Sequence, residues 1–337
     1  MKAITYSTHG GPEVLTLTER PLPKPGPGEV RVRTRFSGIN PTDVKTRART
    51  TPEGDQVPNQ DGSGIVDAVG DGVPAERVGE RVWMWEAAWQ RPDGTAQEYL
   101  TLPARQAVPL PDSASLELGA CLGIPFLTAH RALTLGEGGP RRLGPGALAG
   151  RTVLVAGGAG AVGNAAIQLA RWAGATVITT VSSAEKEALA RAAGAQHIVN
   201  YKSQDAAAEI RRVAPDGVEL VVEVAPGHNT QLDVDVVAHG ATVVIYARDV
   251  EAVTIPAWPS MVANLRWLPI LVYTMPDAAK DDAVAALTEA LAAGAIRAGE
   301  PAGLPLHLFP LEATGDAHAA VEGGAVGKVL VEVAPQW

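Results

Sequence analysis

The chain has 337 residues, of which 46% are apolar and 19% charged, with a formal net charge of −9 and one cysteine. That length suits about two domains with a sizeable core, and the composition is ordinary for a globular protein. The acidic balance argues against nonspecific binding to nucleic acid or anionic lipid. A single cysteine excludes an intramolecular disulfide and points to a reducing, cytoplasmic setting. No apolar run reaches the roughly 18 residues of a membrane span. "MKAITYSTHG" has no charged segment followed by an apolar one, so no signal peptide is expected.

In chain order, the part up to about residue 110 reads as β-structure with many turns. "EVRVRTRFSG" alternates as a strand does, and "GSGIVDAVG" and "GERVWMWE" follow between Gly, Pro and Asp clusters. "SLELGACLGIPFLTAHRAL" reads as a helix interrupted at Pro125, and residues 136–150 form a Gly/Pro-rich loop. Strands and helices then alternate: "RTVLVAG", "AVGNAAIQLARWAGA", "TVITTV", "AEKEALARAAGA", "HIVNY", "VELVVEV", "ATVVIYA", "RWLPILVYT", "DDAVAALTEALAAGA" and "GKVLVEV". Apolar strands between helices indicate an α/β fold with a doubly wound parallel sheet covered on both faces.

"TVLVAGGAGAVGNAAIQLA" runs a strand through Gly157, Gly160, Ala161, Val162 and Gly163 into a helix. Glycines permit the tight turn and let a pyrophosphate approach the backbone, while the helix N-terminus offers free N–H groups. A tight turn without a ligand is the bland alternative, but strand, loop, helix and second strand are all present in the required order. About twenty residues on, where a ribose-binding carboxylate is common, the chain reads "ITTVSSAEK". Ser182 and Lys186, with Tyr201 at the end of the next strand, suit a dianionic 2′-phosphate, which favours NADPH over NADH. "SSAE" also reads as a capping box with Ser182 as N-cap, a role compatible with anion binding.

This order of parts resembles the medium-chain dehydrogenase/reductases over almost the whole chain. "GGPEVLTLTERPLPKPGPGEVRVRTRFSGINPTD", "GSGIVDAVGDGVPAERVGERVW", "GTAQEYLTLP", "GIPFLTAHRAL" and "VSSAEKEALARAAGAQHIVNY" are similar to the quinone oxidoreductase branch, especially its zeta-crystallin-like members. The resemblance implies a Rossmann-type NADPH-binding domain over residues 125–275 and a β-rich GroES-like catalytic domain over 1–124 and 276–337. Zinc-dependent members of the superfamily carry a cysteine at the place of Asn40, His-Glu at Gln60 and Asp61, and a last ligand at about Ile124. No thiolate or imidazole remains at these places, so no metal is expected. Cys121 reads as a small core hydrophobe.

A quinone or an α,β-unsaturated carbonyl needs no Lewis acid to accept hydride from nicotinamide C4. The resemblance therefore implies an NADPH-dependent quinone reductase acting in the interdomain cleft. An enoyl or alkenal reductase is the alternative, and a non-catalytic crystallin-like NADPH-binding protein the second. By the same resemblance Asn40 lies near the nicotinamide ribose and substrate, and Gln60 and Asp61 are cleft candidates. Thr128, Tyr246, Ala247, Val272, Tyr273 and Lys328 are expected at the cofactor, with Tyr246 and Ala247 ending one strand and Val272 and Tyr273 lying in the next. Each is equally readable as a packing residue. A tyrosine common in relatives is replaced by Lys45, which reads as exposed. Trp83 and Trp85 share a strand face and, with Trp89, are either core anchors or a stacking surface for a flat ring. "RWLPILVYT" is the expected edge strand of a homodimer.

Overall fold

The computed structural model describes residues 1–334. In chain order the elements are β1 (Lys2–Thr5), β2 (Thr16–Glu19), β3 (Glu29–Ile39), α1 (Pro41–Arg49), β4 (Asp61–Val69), β5 (Arg81–Met84), β6 (Tyr99–Pro103), β7 (Ala107–Pro109) and α2 (Leu116–Thr134). There follow β8 (Thr152–Ala156), α3 (Ala161–Trp172), β9 (Thr176–Val181), α4 (Ala184–Ala192), β10 (His197–Asn200), α5 (Ala206–Val213), β11 (Val218–Glu223), α6 (Pro226–Val236) and β12 (Val237–Ile245). The chain ends with α7 (Ala257–Val262), β13 (Arg266–Pro269), α8 (Asp277–Ala292), β14 (Leu306–Pro310), α9 (Thr314–Glu322) and β15 (Lys328–Glu332). No helix among the described residues is long and apolar enough to cross a membrane.

Two compact units result, Met1–Ile124 with the residues from Pro305 onward, and Pro125–Leu304. α8 goes with the second unit, packing its buried Ala283, Ala286, Leu287, Ala290 and Leu291 there.

The first unit is a sheet in the order β14-β15-β3-β4-β5-β7, with β6 also paired to β3. β3 is long enough to serve several neighbours, pairing antiparallel with β4, β6 and β15. Its alternating sequence places Val30, Val32 and Phe36 inside while Arg31, Arg33 and Arg35 are less buried, as a half-buried strand requires. Trp83 and Trp85 are core residues, 0% and 2% exposed. Of the two readings left open for them, the core anchor is the one found.

The second unit is a six-stranded, wholly parallel sheet in the order β10-β9-β8-β11-β12-β13. Valine, isoleucine and leucine fill its interior strands, and Val153, Val155, Val177, Ile178, Val221 and Val243 are fully buried. The chain order reverses at β8, the strand feeding the glycine turn, and in open parallel sheets ligands bind beyond the strand ends at such a point.

Two expectations change. α2 is continuous through Pro125; proline lacks an N–H and crowds the preceding turn, and the neighbouring Ile124 amide is bonded to a side chain, as described below. "RWLPILVYT" pairs only as far as Pro269, with the Ile270 N–H bonding the Ile245 carbonyl at 2.8 Å before the chain leaves the sheet. Val272 and Tyr273 then lie in a buried 3₁₀ turn rather than in a strand. The Gly/Pro-rich loop is anchored by buried Leu143 and Leu148 and by the Leu143 N–H donating to His130 Nε2 at 3.2 Å.

Candidate functional site

In the second unit, β8 ends at Ala156 and the chain turns through Gly157, at φ +69°, into α3, whose N-cap is Gly160. The β9 strand braces this turn: the Thr180 carbonyl accepts from the Gly158 N–H at 3.3 Å, and Thr179 Oγ1 donates to the Val155 carbonyl at 2.7 Å. A Cβ on Gly163 would lie 2.4 Å from the Gly157 carbonyl oxygen, so helix and turn could not pack as they do. Gly158 is equally constrained, since its Cβ would meet Thr179 Oγ1 at 2.2 Å; the sequence reading missed it because the repeating spacing drew attention to its neighbours. Gly160 differs. It is exposed, its φ of −78° suits any residue, and a Cβ there would meet only the Gly157 oxygen, at 3.5 Å. The protein itself does not require glycine at 160, whereas close approach of a phosphate does. Ala161 and Val162 open α3 with partial exposure.

Ser183, not Ser182, is the N-cap of α4, accepting from the Lys186 N–H at 3.2 Å. β9 continues to Val181, which shifts the cap by one residue and places Lys186, not Glu185, at the third helical position. This frees the Ser182 hydroxyl, which accepts from Lys186 Nζ at 3.2 Å. Tyr201 follows β10 with its N–H on the Val181 carbonyl at 3.1 Å and is 47% exposed. The ends of β9 and β10 thus carry a hydroxyl, an ammonium and a phenol.

Tyr246 and Ala247 follow β12, the Tyr246 N–H donating to the Glu223 carbonyl at 3.1 Å. Burial and the Glu223 carboxylate both raise the Tyr246 phenol above its ordinary range. Burial, then the facing Glu223, pushes the Asp233 carboxyl of α6 up, and burial pushes Glu223 up as well. Sequence pattern gave no sign of that pair. Thr128 is buried on α2, and the Tyr273 carbonyl accepts from the buried Lys280 Nζ at 3.0 Å.

The first unit holds a second cluster. Asn40 leads into α1; its Nδ2 donates to Asp61 Oδ2 at 2.7 Å and its Oδ1 accepts from Lys328 Nζ at 2.6 Å. Lys328 also lies 3.3 Å from Asp61 Oδ2. Asp61 Oδ1 accepts from the Ile124 N–H at 2.9 Å. The backbone N–H of Asn40 donates to Asp43 Oδ2 at 2.7 Å. All four side chains are at most 5% exposed. Burial pushes the Asp61 carboxyl up, opposed by Lys328, Asn40 and the Ile124 amide. Burial, with Asp61 next, pushes Asp43 up to about 7.

Three of the four positions at which zinc-dependent relatives carry ligands therefore meet: Asn40, Asp61 and the main chain of Ile124. Gln60 turns away, its Oε1 accepting from the Ala88 N–H at 3.0 Å. The residues do not fit a zinc ion. The one carboxylate is bonded on both oxygens, an ammonium already supplies the positive charge, and neither thiolate nor imidazole takes part. Among the described residues no group of three or more His, Cys, Asp or Glu is placed to hold a metal. The Lys328 ammonium is committed to this network, and Lys45 is exposed. The sequence reading missed Asp43, whose signal was its place at the third position after the helix-capping Asn40.

Comparison with known proteins follows this division. Residues 26–112 match the family model described as alcohol dehydrogenase GroES-like domain, and residues 161–289 that described as zinc-binding dehydrogenase. A quinone oxidoreductase of Rattus norvegicus is 33% identical over 250 residues, which is 73% of this chain and 72% of that protein. The crystal structure of an NAD-dependent alcohol dehydrogenase is 30% identical, with a TM-score of 0.85, covering 99% of this chain and 100% of that one. A mycobacterial structure complexed with NADPH is 28% identical, with a TM-score of 0.81 and the same coverage.

The glycine turn separates structural from binding roles. Gly163→Ala is expected to lower stability by about 1–3 kcal/mol, as overpacking does. Gly160→Ala is expected to leave the melting temperature in place while weakening binding of a nicotinamide dinucleotide at least tenfold in a fluorescence titration. Unchanged affinity in the Gly160→Ala protein would remove the pyrophosphate from this turn.

Proposed function

We propose that this chain, which belongs to the quinone oxidoreductase branch of the medium-chain dehydrogenase/reductase family and is an oxidoreductase, uses NADPH to reduce a quinone without a metal ion. The observation carrying this reading is that Asp61, at one of the positions where zinc-dependent relatives carry ligands, forms a buried ion pair with Lys328, which also bonds Asn40 at another of them. Such a site has no open coordination position with which to polarise a simple carbonyl or alcohol. A conjugated acceptor takes hydride by positioning and modest hydrogen bonding alone. Enones share that electronic feature, so a conjugated C=C bond is the alternative acceptor.

When bound, NADPH supplies the hydride from its nicotinamide C4. Ser182, Lys186 and Tyr201 are assigned to the 2′-phosphate, supported by the Lys186–Ser182 contact and by the lack of a carboxylate at the end of β9. The turn at Gly157, Gly160, Ala161, Val162 and Gly163 is assigned to the pyrophosphate. Thr128, Tyr246, Ala247, Val272 and Tyr273 complete the cofactor residues. Asn40 is assigned to the nicotinamide end and the acceptor, with Asp61 and Lys328 holding its amide in one orientation. Gln60 stands at the margin of the same region. The single cysteine suits a cytoplasmic setting.

A homodimer formed through the β13 edge belongs to the same reading. Among the described residues that edge is unpaired, and beside it Trp258 and Met261 of α7 are 72% and 67% exposed, with Leu271 also exposed.

Two measurements follow. Steady-state assays over p-quinones and enones should find NADPH-dependent turnover, and Lys186→Ala should cut the NADPH/NADH ratio of kcat/KM about tenfold or more, the value of a charge-assisted hydrogen bond. An unchanged ratio removes Lys186 from the 2′-phosphate, and NADPH binding without turnover of any acceptor favours a non-catalytic protein. Sedimentation at micromolar concentration should give a dimer that Trp258→Glu converts to monomer; a wild-type monomer contradicts the interface.

A further inference from the structure

Adding hydride to a quinone leaves an anion, and the hydroquinone requires one proton as well. The tyrosine that relatives place after the asparagine is Lys45 here, exposed on α1 and outside the buried cluster. In the first unit Asp43 accepts at Oδ2 from the Asn40 N–H at 2.7 Å. It is also one wall of a cavity of about 110 Å³ lined by Tyr6, Thr46, Thr50, Asn59 and Gln60 among others. At about 30 Å³ per molecule a cavity of this size accommodates roughly three waters, and its hydroxyl and amide groups suit bridging hydrogen bonds.

We propose that Asp43 holds the proton taken up when the acceptor is reduced, and that the polar cavity on which it opens recharges it from solvent. This rests on the acceptor-reduction reading above. In the balanced step the C4–H bond of the dihydronicotinamide breaks with its electron pair and a new bond to the acceptor forms. The Asp43 O–H bond breaks and its proton passes to the acceptor oxygen. The acceptor becomes the hydroquinone, the nicotinamide is oxidised, and the Asp43 carboxylate regains a proton from water.

The surroundings favour this residue over its neighbours. Asp61 faces Asp43 from β4, but it is fully buried and its oxygens are taken by Asn40, Lys328 and the Ile124 amide. Lys328 faces from β15 and is committed to Asn40 and Asp61. Tyr6 faces from beyond β1, and burial and the Asp43 charge push its phenol up to about 12, out of range for proton exchange at neutrality. Arg47, on α1 itself, is salt-bridged to Glu322. His318 of α9, near Arg47, is bonded to Asn59 Oδ1 at 2.9 Å and pushed down to about 3 by burial and then by Arg47. Asp43, at about 7, is poised to exchange a proton under neutral conditions.

The sign of the pH dependence is fixed by the role. The protonated acid is the active form, so wild-type kcat/KM for 1,4-benzoquinone should be level in mild acid and fall about tenfold per pH unit above the Asp43 value. Asp43→Asn should lower kcat/KM at pH 6 by ten- to a hundredfold and abolish the limb, giving a flat profile. It should also leave the NADPH Kd within twofold and reduce the solvent deuterium isotope effect toward unity. A purely structural Asp43 would move the melting temperature and keep the limb. If Asp43→Asn does not fold, the wild-type profile and isotope effect still decide: turnover with no limb between pH 6 and 8 and no isotope effect overturns the proposal while leaving quinone reduction intact. Absence of wild-type turnover with any quinone or enone would remove the reading beneath it, and this proposal with it.

Discussion

A buried ammonium must find a counter-charge, and Lys328 finds it in Asp61. Taking either ion out of water alone costs several kcal/mol, and breaking such a pair by removing one partner costs about 3–5 kcal/mol. The remaining polar atoms of the network follow from that constraint. Asp61 needs further donors and takes the Asn40 amide and the Ile124 N–H. Lys328 needs a further acceptor and takes Asn40 Oδ1. Asn40, held at both ends of its amide, has one orientation at the start of α1. The register between β15 and β3, with Val329 opposite Ile39, brings Lys328 beside Asn40, so the pair also records which strands must be neighbours.

The same constraint bears on chemistry. In a metal site the protein supplies anions and imidazoles, and the ion supplies a charge that a substrate can reach. Here the charge is carried by the chain, enclosed and satisfied, and what it contributes is rigidity around Asn40. Asp43 is left in an environment that raises its carboxyl, first through burial and then through the nearby Asp61, while the ammonium is already engaged. On the proposed reading the second unit would meet a polyanion with backbone amides at the glycine turn and with Lys186, which the structure holds on the Ser182 hydroxyl.

Much of this was legible in the sequence. The alternation in "EVRVRTRF", the apolar strands after residue 150 and the glycine turn each have a local cause, and each appears as expected. Asn40 and Asp61 were reachable through family resemblance. Their union with Lys328 was not, since contact across 267 residues has no local signature. The N-cap of α4 was misplaced by one residue because "SSAE" contains two serines and only the end of β9 decides between them. The strand after β12 was overextended because "ILVYT" has strand composition, while the chain makes its last bond to β12 from the Ile270 N–H and turns into the 3₁₀ turn that begins at Val272. The helix through Pro125 was read as interrupted because the compensating partner, Asp61 on the Ile124 amide, lies 63 residues away. The place of Asp43 three residues after the capping Asn40 was visible in sequence, but its burial and that of Asp233 are properties of packing alone.

The central claim is that the enclosed Lys328–Asp61–Asn40 network positions the acceptor rather than merely filling space. Lys328→Met, combined with Asp61→Asn so that no unpaired buried charge remains, tests it by steady-state kinetics beside NADPH titration. The account predicts a folded protein with NADPH Kd within twofold of wild type and quinone kcat/KM reduced at least tenfold. A folded double variant that reduces quinone at the wild-type rate would contradict it.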